Sequence, residues 1–176
     1  MIRSLRKADV EACARIVAGD PLWQRYGLTL PRARAAVRSA LPPRGAQRRP
    51  AGEFAVAEQA GQVVGFVWFR TEGTFHHSGY VRWIAVAPEV RSRGIGRVLM
   101  QHAEHRILAQ GPNVFLLVSD FNRRSRAFYR NRGYTRVGAI PDYVVPGVTE
   151  HLLRKTRGPI ARTGGERRSR TRGPAR

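Results

Sequence analysis

The spacing of apolar residues predicts four main helices along this chain. The first begins after Asp9, which can cap it, and the second begins near Pro31, which suits the first turn of a helix. A third helix follows a glycine-bearing loop, and on it His102 lies on the apolar face and Glu104 off that face. This pattern favours a solvated helix with one packed histidine over a metal site. The fourth helix spans residues 123–131.

Runs of β-branched and aromatic residues predict six or seven strands. Two of them, Glu53–Glu58 and Val63–Phe69, flank a short turn and predict an antiparallel hairpin. The continuously apolar run Val114–Val118 is typical of a buried strand. The remaining predicted strands are Ile2–Arg6, Gly79–Val86, Tyr134–Ala139 and Glu150–Arg154.

The loop before the third helix has the features of a phosphate site. Gly94 and Gly96 leave the backbone bare, so that consecutive N–H groups can point at one anion, and the helix N-terminus adds roughly half a positive charge. Full charges are added by Arg91, Arg93 and Arg97. The third glycine of the dinucleotide fingerprint is absent, as is the Gly-Lys-Ser/Thr of the NTPase loop. An ordinary tight turn is the alternative interpretation of these glycines.

Two motifs in this order resemble those of the GNAT (general N-acetyltransferase) superfamily. The first is Arg-Ser-Arg-Gly-Ile-Gly at residues 91–96, preceded by the strand ending Ile-Ala-Val-Ala-Pro at 84–88. The second spans residues 122–134, in which an asparagine is followed by a helix carrying Phe-Tyr and then by Gly-Tyr. The resemblance covers residues 1–157.

The resemblance implies an α/β (α+β) fold with a central mixed, mostly antiparallel sheet. This sheet of six to seven strands would be flanked by about four helices and split into a V between the fourth and fifth strands. Acetyl-CoA would lie in the gap as a co-substrate, without a metal. The residues implied to hold it are Ile84, Ala85, Val86, Arg91, Ser92, Arg93, Gly94, Ile95, Gly96, Arg97 and Asn122. For Asn122, helix capping is the alternative role.

The resemblance also implies that Tyr129 is the acid that protonates the departing thiolate, although packing under the sheet is its alternative role. The Val86 amide is a candidate donor to the developing oxyanion. Ribosomal-protein acetyltransferases of the superfamily carry a glutamate base where this chain has Leu117. The base is therefore open, and the candidates are Asp120, His76, His77 and a water held by strand carbonyls.

Acceptor recognition in the family comes from the connector after the first helix and from loops near the last strands. The residues in these positions are Trp23, Tyr26, Asp142 and Tyr143. Aromatic walls with a carboxylate suit a cationic amine, although both connector aromatics also suit core positions. The predicted activity is acetyl transfer from acetyl-CoA to a primary amine of a small molecule, protein or peptide, by direct attack in a ternary complex. The alternative is a non-catalytic module that senses acyl-CoA or binds RNA or ribosomes.

The composition is strongly basic. The formal net charge is +20, and only Lys7 and Lys155 among the 32 basic residues are lysines. Such a charge attracts nucleic acid nonspecifically, but the arginine preference also fits a coding bias toward GC-rich codons. Residues 158–176 contain Ile160 as their only sizeable apolar residue, which predicts a disordered basic tail after one domain at 1–157. Nonspecific nucleic-acid contact would use this tail.

The chain carries no sequence signal for secretion or membrane insertion. Cys13 is the only cysteine, so no intramolecular disulfide can form. No apolar run of about 18 residues occurs, and no hydrophobic signal region precedes the patterned sequence. We therefore expect a cytoplasmic protein, monomeric or homodimeric, without a membrane partner.

Overall fold

Seven strands form one sheet, and five α-helices cover its faces, in a computed structural model that describes residues 1–42 and 52–160. The strands are β1 (Ile2–Ser4), β2 (Glu53–Gln59), β3 (Gln62–Thr74), β4 (Ser78–Val86), β5 (Asn113–Ser119), β6 (Thr135–Pro141) and β7 (Thr149–Thr156). The helices are α1 (Val10–Ala18), α2 (Pro21–Gln24), α3 (Leu30–Arg38), α4 (Ile95–Leu108) and α5 (Arg123–Arg130).

The sheet is split between β4 and β5. The spatial order of the strands is β1-β2-β3-β4-β5-β7-β6, and β4 and β5 are its one parallel pair. These two strands pair only where Gly79, Tyr80 and Val81 face residues 114–116. Beyond that point they diverge, which confirms the predicted mixed sheet with a V-shaped gap.

A β-bulge in β4 accounts for the divergence. Trp68 of β3 pairs with Trp83, and Phe69 pairs with Val81, so that Arg82 is an extra residue in β4. An extra residue bends its strand and increases its twist. It also places Arg82 and Trp83 on the same face, where the guanidinium of Arg82 lies 4.0 Å from the centre of the Trp68 ring.

Each face of the sheet buries its own apolar cluster. The cluster under α4 and α5 includes Leu99, Leu116 and Tyr129. The cluster under α1 and α3 includes Phe66 and Trp83. Because the two clusters hold α5 and α1 on opposite faces, any cavity through the split connects the two sides of the sheet.

The short helix α2 lies in the connector after α1, where the sequence predicts no helix. Four residues are too few to show a helical period, but the local signals are present. Pro21 occupies the first turn, and the Asp20 carboxylate accepts a hydrogen bond from the Leu22 N–H at 3.0 Å. This cap fixes the direction in which Trp23 leaves the connector.

Asp9 is the N-terminal cap residue of α1, as predicted, but its side chain makes no hydrogen bond to the N–H groups of that helix. The Asp9 carboxylate accepts hydrogen bonds from the Arg6 N–H at 2.7 Å and from the Arg3 guanidinium at 2.6 and 2.9 Å. The hydrogen bonds from Arg3 hold the pKa of Asp9 below its ordinary value. Asp9 therefore ties the turn before α1 to β1, because a nearby guanidinium competes successfully with the helix N–H groups.

Some predictions fall outside the described residues. These are the greater part of the basic loop after Leu41 and of the predicted tail, which correspond to residues 43–51 and 161–176. Within the described ranges, no helix has both the length and the apolar character that a membrane crossing requires.

Candidate functional site

A cavity of about 860 Å³ occupies the split between β4 and β5. Most of the residues predicted to contact the coenzyme or to act in catalysis line this cavity. They are Ile84, Ala85, Val86, Arg91, Ser92, Gly94, Ile95, Gly96, Arg97, Asn122 and Tyr129. Arg93 is exposed and lies outside this lining. Leu22 and Trp23 line the same cavity from the other face of the sheet. The split is therefore a passage through the sheet, of a size typical of small-molecule sites.

The edge of β4 presents backbone hydrogen-bonding groups to this cavity. The Ala87 N–H donates to the Val64 carbonyl at 2.9 Å, and Gly65 pairs with Val86. Because the hydrogen bonds of antiparallel strands alternate, the N–H and C=O groups of Ile84 and Val86 point away from β3. Past Val81 there is no β5 residue to receive them. An extended ligand with amide groups can bind along such an edge.

The loop before α4 presents backbone N–H groups at the other end of the cavity. Ser92 and Gly94 have φ angles of +66° and +83°, in the left-handed region, and Gly94 is the N-terminal cap residue of α4. The first N–H groups of the 14-residue helix have no acceptor within the helix. A Cβ at Gly96 would lie 3.7 Å from Val86 Cγ2 and 3.8 Å from Phe128 Cζ, so this glycine keeps the cradle open. The loop therefore has the form of an anion site.

The arginines around this loop have different partners. The Nη2 atom of Arg91 lies 2.6 Å from Asp20 Oδ2, and its Nε donates to the Val86 carbonyl at 3.0 Å. Arg91 thus connects the loop to α2. From α5, Arg124 donates to Ser92 Oγ at 3.1 Å, and Arg97 is exposed beside the cavity. The sequence does not single out Arg124 among the arginines of α5. Its signal is helical spacing with Phe128, four residues later, which also lines the cavity.

Tyr129 lies on the buried side of α5. Its side chain is 6% exposed, and its ring centre is 5.7 Å from that of Tyr134. Burial raises the pKa of Tyr129 well above its ordinary value, so the hydroxyl keeps its proton at neutral pH. At the start of α5, Asn122 Oδ1 accepts a hydrogen bond from the Ser125 N–H at 3.1 Å and also lines the cavity. A protonated hydroxyl and a helix-capping amide thus share one wall.

Glu104 is buried, so the prediction that it lies on a solvated face is wrong. Its carboxylate accepts hydrogen bonds from Arg132 at 2.9 and 3.2 Å and from Lys155 Nζ at 2.8 Å. All three side chains line the cavity. Arg132 follows α5, and Lys155 lies on β7. Both are too far from Glu104 along the chain for the periodicity of α4 to indicate these contacts. His102 packs against Phe69 as predicted, with 5.9 Å between ring centres.

Replacing Glu104 with glutamine is expected to lower the free energy of unfolding by roughly 3 kcal/mol, because two cations are then left without their counter-charge in a mostly buried site. Urea denaturation measures this loss. Glu72, which is exposed, provides the control through Glu72→Gln. Equal losses in the two variants would contradict a structural role for the buried ion pairs.

The residues predicted to bind the acceptor do not form one group. Trp23 lines the cavity and packs edge-on against Trp83, with 5.2 Å between ring centres. The Tyr26 hydroxyl bonds to Ser119 Oγ and donates to Glu150 Oε1 at 2.7 Å. Asp142 accepts from the Gly147 N–H at 2.7 Å within the β6–β7 turn, and Tyr143 is exposed there. Tyr26, Asp142 and Tyr143 all lie outside the cavity lining.

The candidate bases also occupy separate places. His76 and His77 are exposed in the turn before β4, roughly 30 Å along an extended strand from Val86. Asp120 Oδ1 accepts a hydrogen bond from the Phe121 N–H at 2.7 Å. Across residues 1–42 and 52–160, no group of three or more His, Cys, Asp and Glu side chains is placed to bind a metal ion.

Known proteins similar to this chain include acetyltransferases of one family. The sequence profile of the acetyltransferase (GNAT) family matches residues 20–134. An acetyltransferase of Pectobacterium atrosepticum is 33% identical over 88 residues, which are 49% of this chain and 60% of that relative. The chain thus matches less than two thirds of that relative's length.

The solved structures that are similar in fold include the following two. A GNAT-family protein from Desulfovibrio desulfuricans superposes with a TM-score of 0.72 at 20% identity, covering 89% of this chain and 98% of its own. An aminoglycoside 6'-N-acetyltransferase complexed with coenzyme A gives a TM-score of 0.70 at 14% identity, covering 90% of this chain and 98% of its own. At these identities the similarity shows the fold.

Proposed function

The chain belongs to the GNAT acetyltransferase family, and from this membership we propose that it transfers the acetyl group of acetyl-CoA to a primary amine by direct attack in a ternary complex. One observation carries the proposal. A single cavity is lined by residues 84–86 at the edge of β4, by the N-terminus of α4 and by Tyr129. The β4 edge offers hydrogen bonds to amide groups, the start of α4 offers a site for a phosphate, and Tyr129 offers a proton donor.

The residues that would hold acetyl-CoA fit its chemical groups. The N–H groups at the start of α4 suit the pyrophosphate, and the missing side chain of Gly96 leaves space for it beside Val86. The N–H and C=O groups of Ile84, which point away from β3, suit the amides of the pantetheine arm. The coenzyme complex of the structurally similar aminoglycoside acetyltransferase supports coenzyme binding by this fold.

The chain's own groups supply two parts of the chemistry. The Val86 N–H, at the open edge of β4, would donate a hydrogen bond to the thioester oxygen as negative charge develops on it. Tyr129 would donate its proton to the sulfur as the C–S bond breaks. An aliphatic amine is mostly protonated at neutral pH, so one further group must accept a proton from the amine before it attacks.

Mass spectrometry tests the proposal. The full chain is incubated with acetyl-CoA and a panel of amines, peptides and metabolite extract, and products are examined for an added acetyl group. We expect N-acetylated amines, an equal amount of free CoA and no covalent acetyl group on the chain. If CoA raises the melting temperature but no amine is acetylated, the non-catalytic acyl-CoA-binding alternative is favoured instead.

A further inference from the structure

Glu150, the second residue of β7, is a buried acid that the coenzyme site does not use. Its side chain is 4% exposed. The other buried acids all have cationic partners: Asp9 pairs with Arg3, Asp20 with Arg91, and Glu104 with Arg132 and Lys155. Over the part of the chain that the structure describes, Glu150 forms no ion pair. Its hydrogen-bond donor is the hydroxyl of Tyr26.

A buried carboxylate without a counter-charge is costly to the folded protein. Such groups concentrate at functional sites, where a ligand supplies the missing charge. The ligand expected here is a cation. A primary amine that is protonated in solution is a cation, and the proposed reaction requires one to be bound and deprotonated.

Glu150 lies beside Tyr26 on the face of the sheet opposite α4 and α5, next to the cavity but outside its lining. Ser119 pairs with Glu150 in the β5–β7 ladder, so the two side chains lie on the same face of the sheet. Tyr26 reaches this face from the connector and contacts both. The ring centres of Tyr26 and Trp23 are 5.9 Å apart, and Trp23 lines the cavity. Contacts thus run from the cavity through the two aromatic rings to the carboxylate.

Two arginines near this face contact aromatic rings and form no ion pair with Glu150. Arg82 stacks on Trp68, and Arg25 lies 4.2 Å from the centre of the Phe121 ring. Burial, followed by the nearby Tyr143, raises the pKa of Tyr80 to about 12; Arg82 lowers this pKa, and Glu150 raises it by a smaller amount. Burial also raises the pKa of Tyr26 to about 12. Both phenols are therefore neutral at pH 7, and Tyr26 acts as a hydrogen-bond donor to the carboxylate.

We propose that Glu150 binds the ammonium group of the acceptor and removes one of its protons, and that Tyr26 positions the carboxylate. This inference rests on the proposed function and identifies the general base of the proposed acetyl transfer. The amine nitrogen then attacks the thioester carbonyl carbon, forming a C–N bond as the C–S bond breaks. The thiolate takes a proton from the Tyr129 hydroxyl. The nitrogen loses a second proton, and this proton restores the hydroxyl of Tyr129. The proton on Glu150 leaves to solvent. The acceptor class is a primary alkylammonium.

The test compares two nucleophiles in the wild-type chain and in the Glu150→Gln variant, which keeps the acceptor oxygen for Tyr26 but removes the charge. One nucleophile is an alkylamine, and the other is an O-alkylhydroxylamine of equal length, whose nitrogen is uncharged at neutral pH. The kcat/KM for the alkylamine is expected to fall roughly 100-fold, while that for the hydroxylamine changes less than about threefold. This selectivity ratio does not depend on the fraction of folded enzyme.

One control variant and one variant of the positioning residue complete the experiment. Glu72→Gln, at an exposed position, should leave both kcat/KM values unchanged. Tyr26→Phe should lower kcat for the alkylamine by about tenfold with a smaller change for the hydroxylamine, as expected of a positioning residue. Equal losses for the two nucleophiles in Glu150→Gln, or no loss, would overturn the assignment of Glu150. A wild-type chain that acetylates neither nucleophile nor any other amine would instead contradict the proposed function.

Discussion

Replacement of Tyr129 by phenylalanine is expected to slow acetyl transfer by roughly 100- to 1,000-fold, while the Kd for acetyl-CoA changes less than about twofold. The hydroxyl, which is protonated at neutral pH, is the one group lost. The aromatic ring remains, so packing against Tyr134 is preserved. Release of free thiol measures the rate, and calorimetry measures the binding of acetyl-CoA.

Tyr134→Phe is the matched control for Tyr129→Phe. Tyr134 is 4% exposed in the same apolar cluster, and its hydroxyl is buried without a hydrogen-bond partner among the described residues. Removing that hydroxyl should change neither rate nor binding by more than about threefold, because it takes part in no step of the reaction. A comparable loss of rate in both variants would show that Tyr129 acts through packing alone.

Introduction of aspartate at Gly96 is expected to weaken acetyl-CoA binding by at least about 100-fold, or about 2.7 kcal/mol. The backbone tolerates a Cβ here, since its nearest neighbours would be 3.7 and 3.8 Å away. The added carboxylate would then lie in the cradle proposed for the pyrophosphate. Two like charges about 4 Å apart repel by roughly 4 kcal/mol near a protein surface, enough for the expected loss.

Gly96→Asn separates charge from size in this experiment. Asparagine has nearly the same shape as aspartate but no charge, so binding should weaken by about tenfold or less. Raising the salt concentration should reduce the difference between the two variants in the Kd for acetyl-CoA. Equal weakening by aspartate and asparagine would show that space, not an anion, decides binding at this loop, and normal binding by Gly96→Asp would place the pyrophosphate elsewhere.

The sequence predicts the donor half of the site because its determinants are local. The β4 edge, the turn with two left-handed residues and the start of α4 lie within residues 84–97, where each residue contributes backbone groups or the absence of a side chain. Such features depend little on the rest of the fold. The Asn122 cap and the inward position of Tyr129 likewise follow from the spacing within one helix.

Other contacts in and beside the site join residues that are distant in sequence. Tyr26 and Glu150 are 124 positions apart, and Arg91 and Asp20 are 71 positions apart. The helical pattern of α4 predicts that Glu104 is a surface residue. In the fold, β7 and the turn after α5 place Lys155 and Arg132 beside it. No periodicity within one element encodes these pairs, because each depends on how the elements pack.

The central claim is that acetyl-CoA and an amine meet in the β4–β5 split and react directly. Initial rates of thiol release, measured while acetyl-CoA and an acetylated amine from the mass-spectrometric screen are varied together, test it most directly. The account predicts intersecting double-reciprocal lines, one N-acetylated amine for each CoA released and a chain of unchanged mass. Parallel lines with an acetyl group retained on the chain, or coenzyme binding without thiol release for any amine, would contradict it.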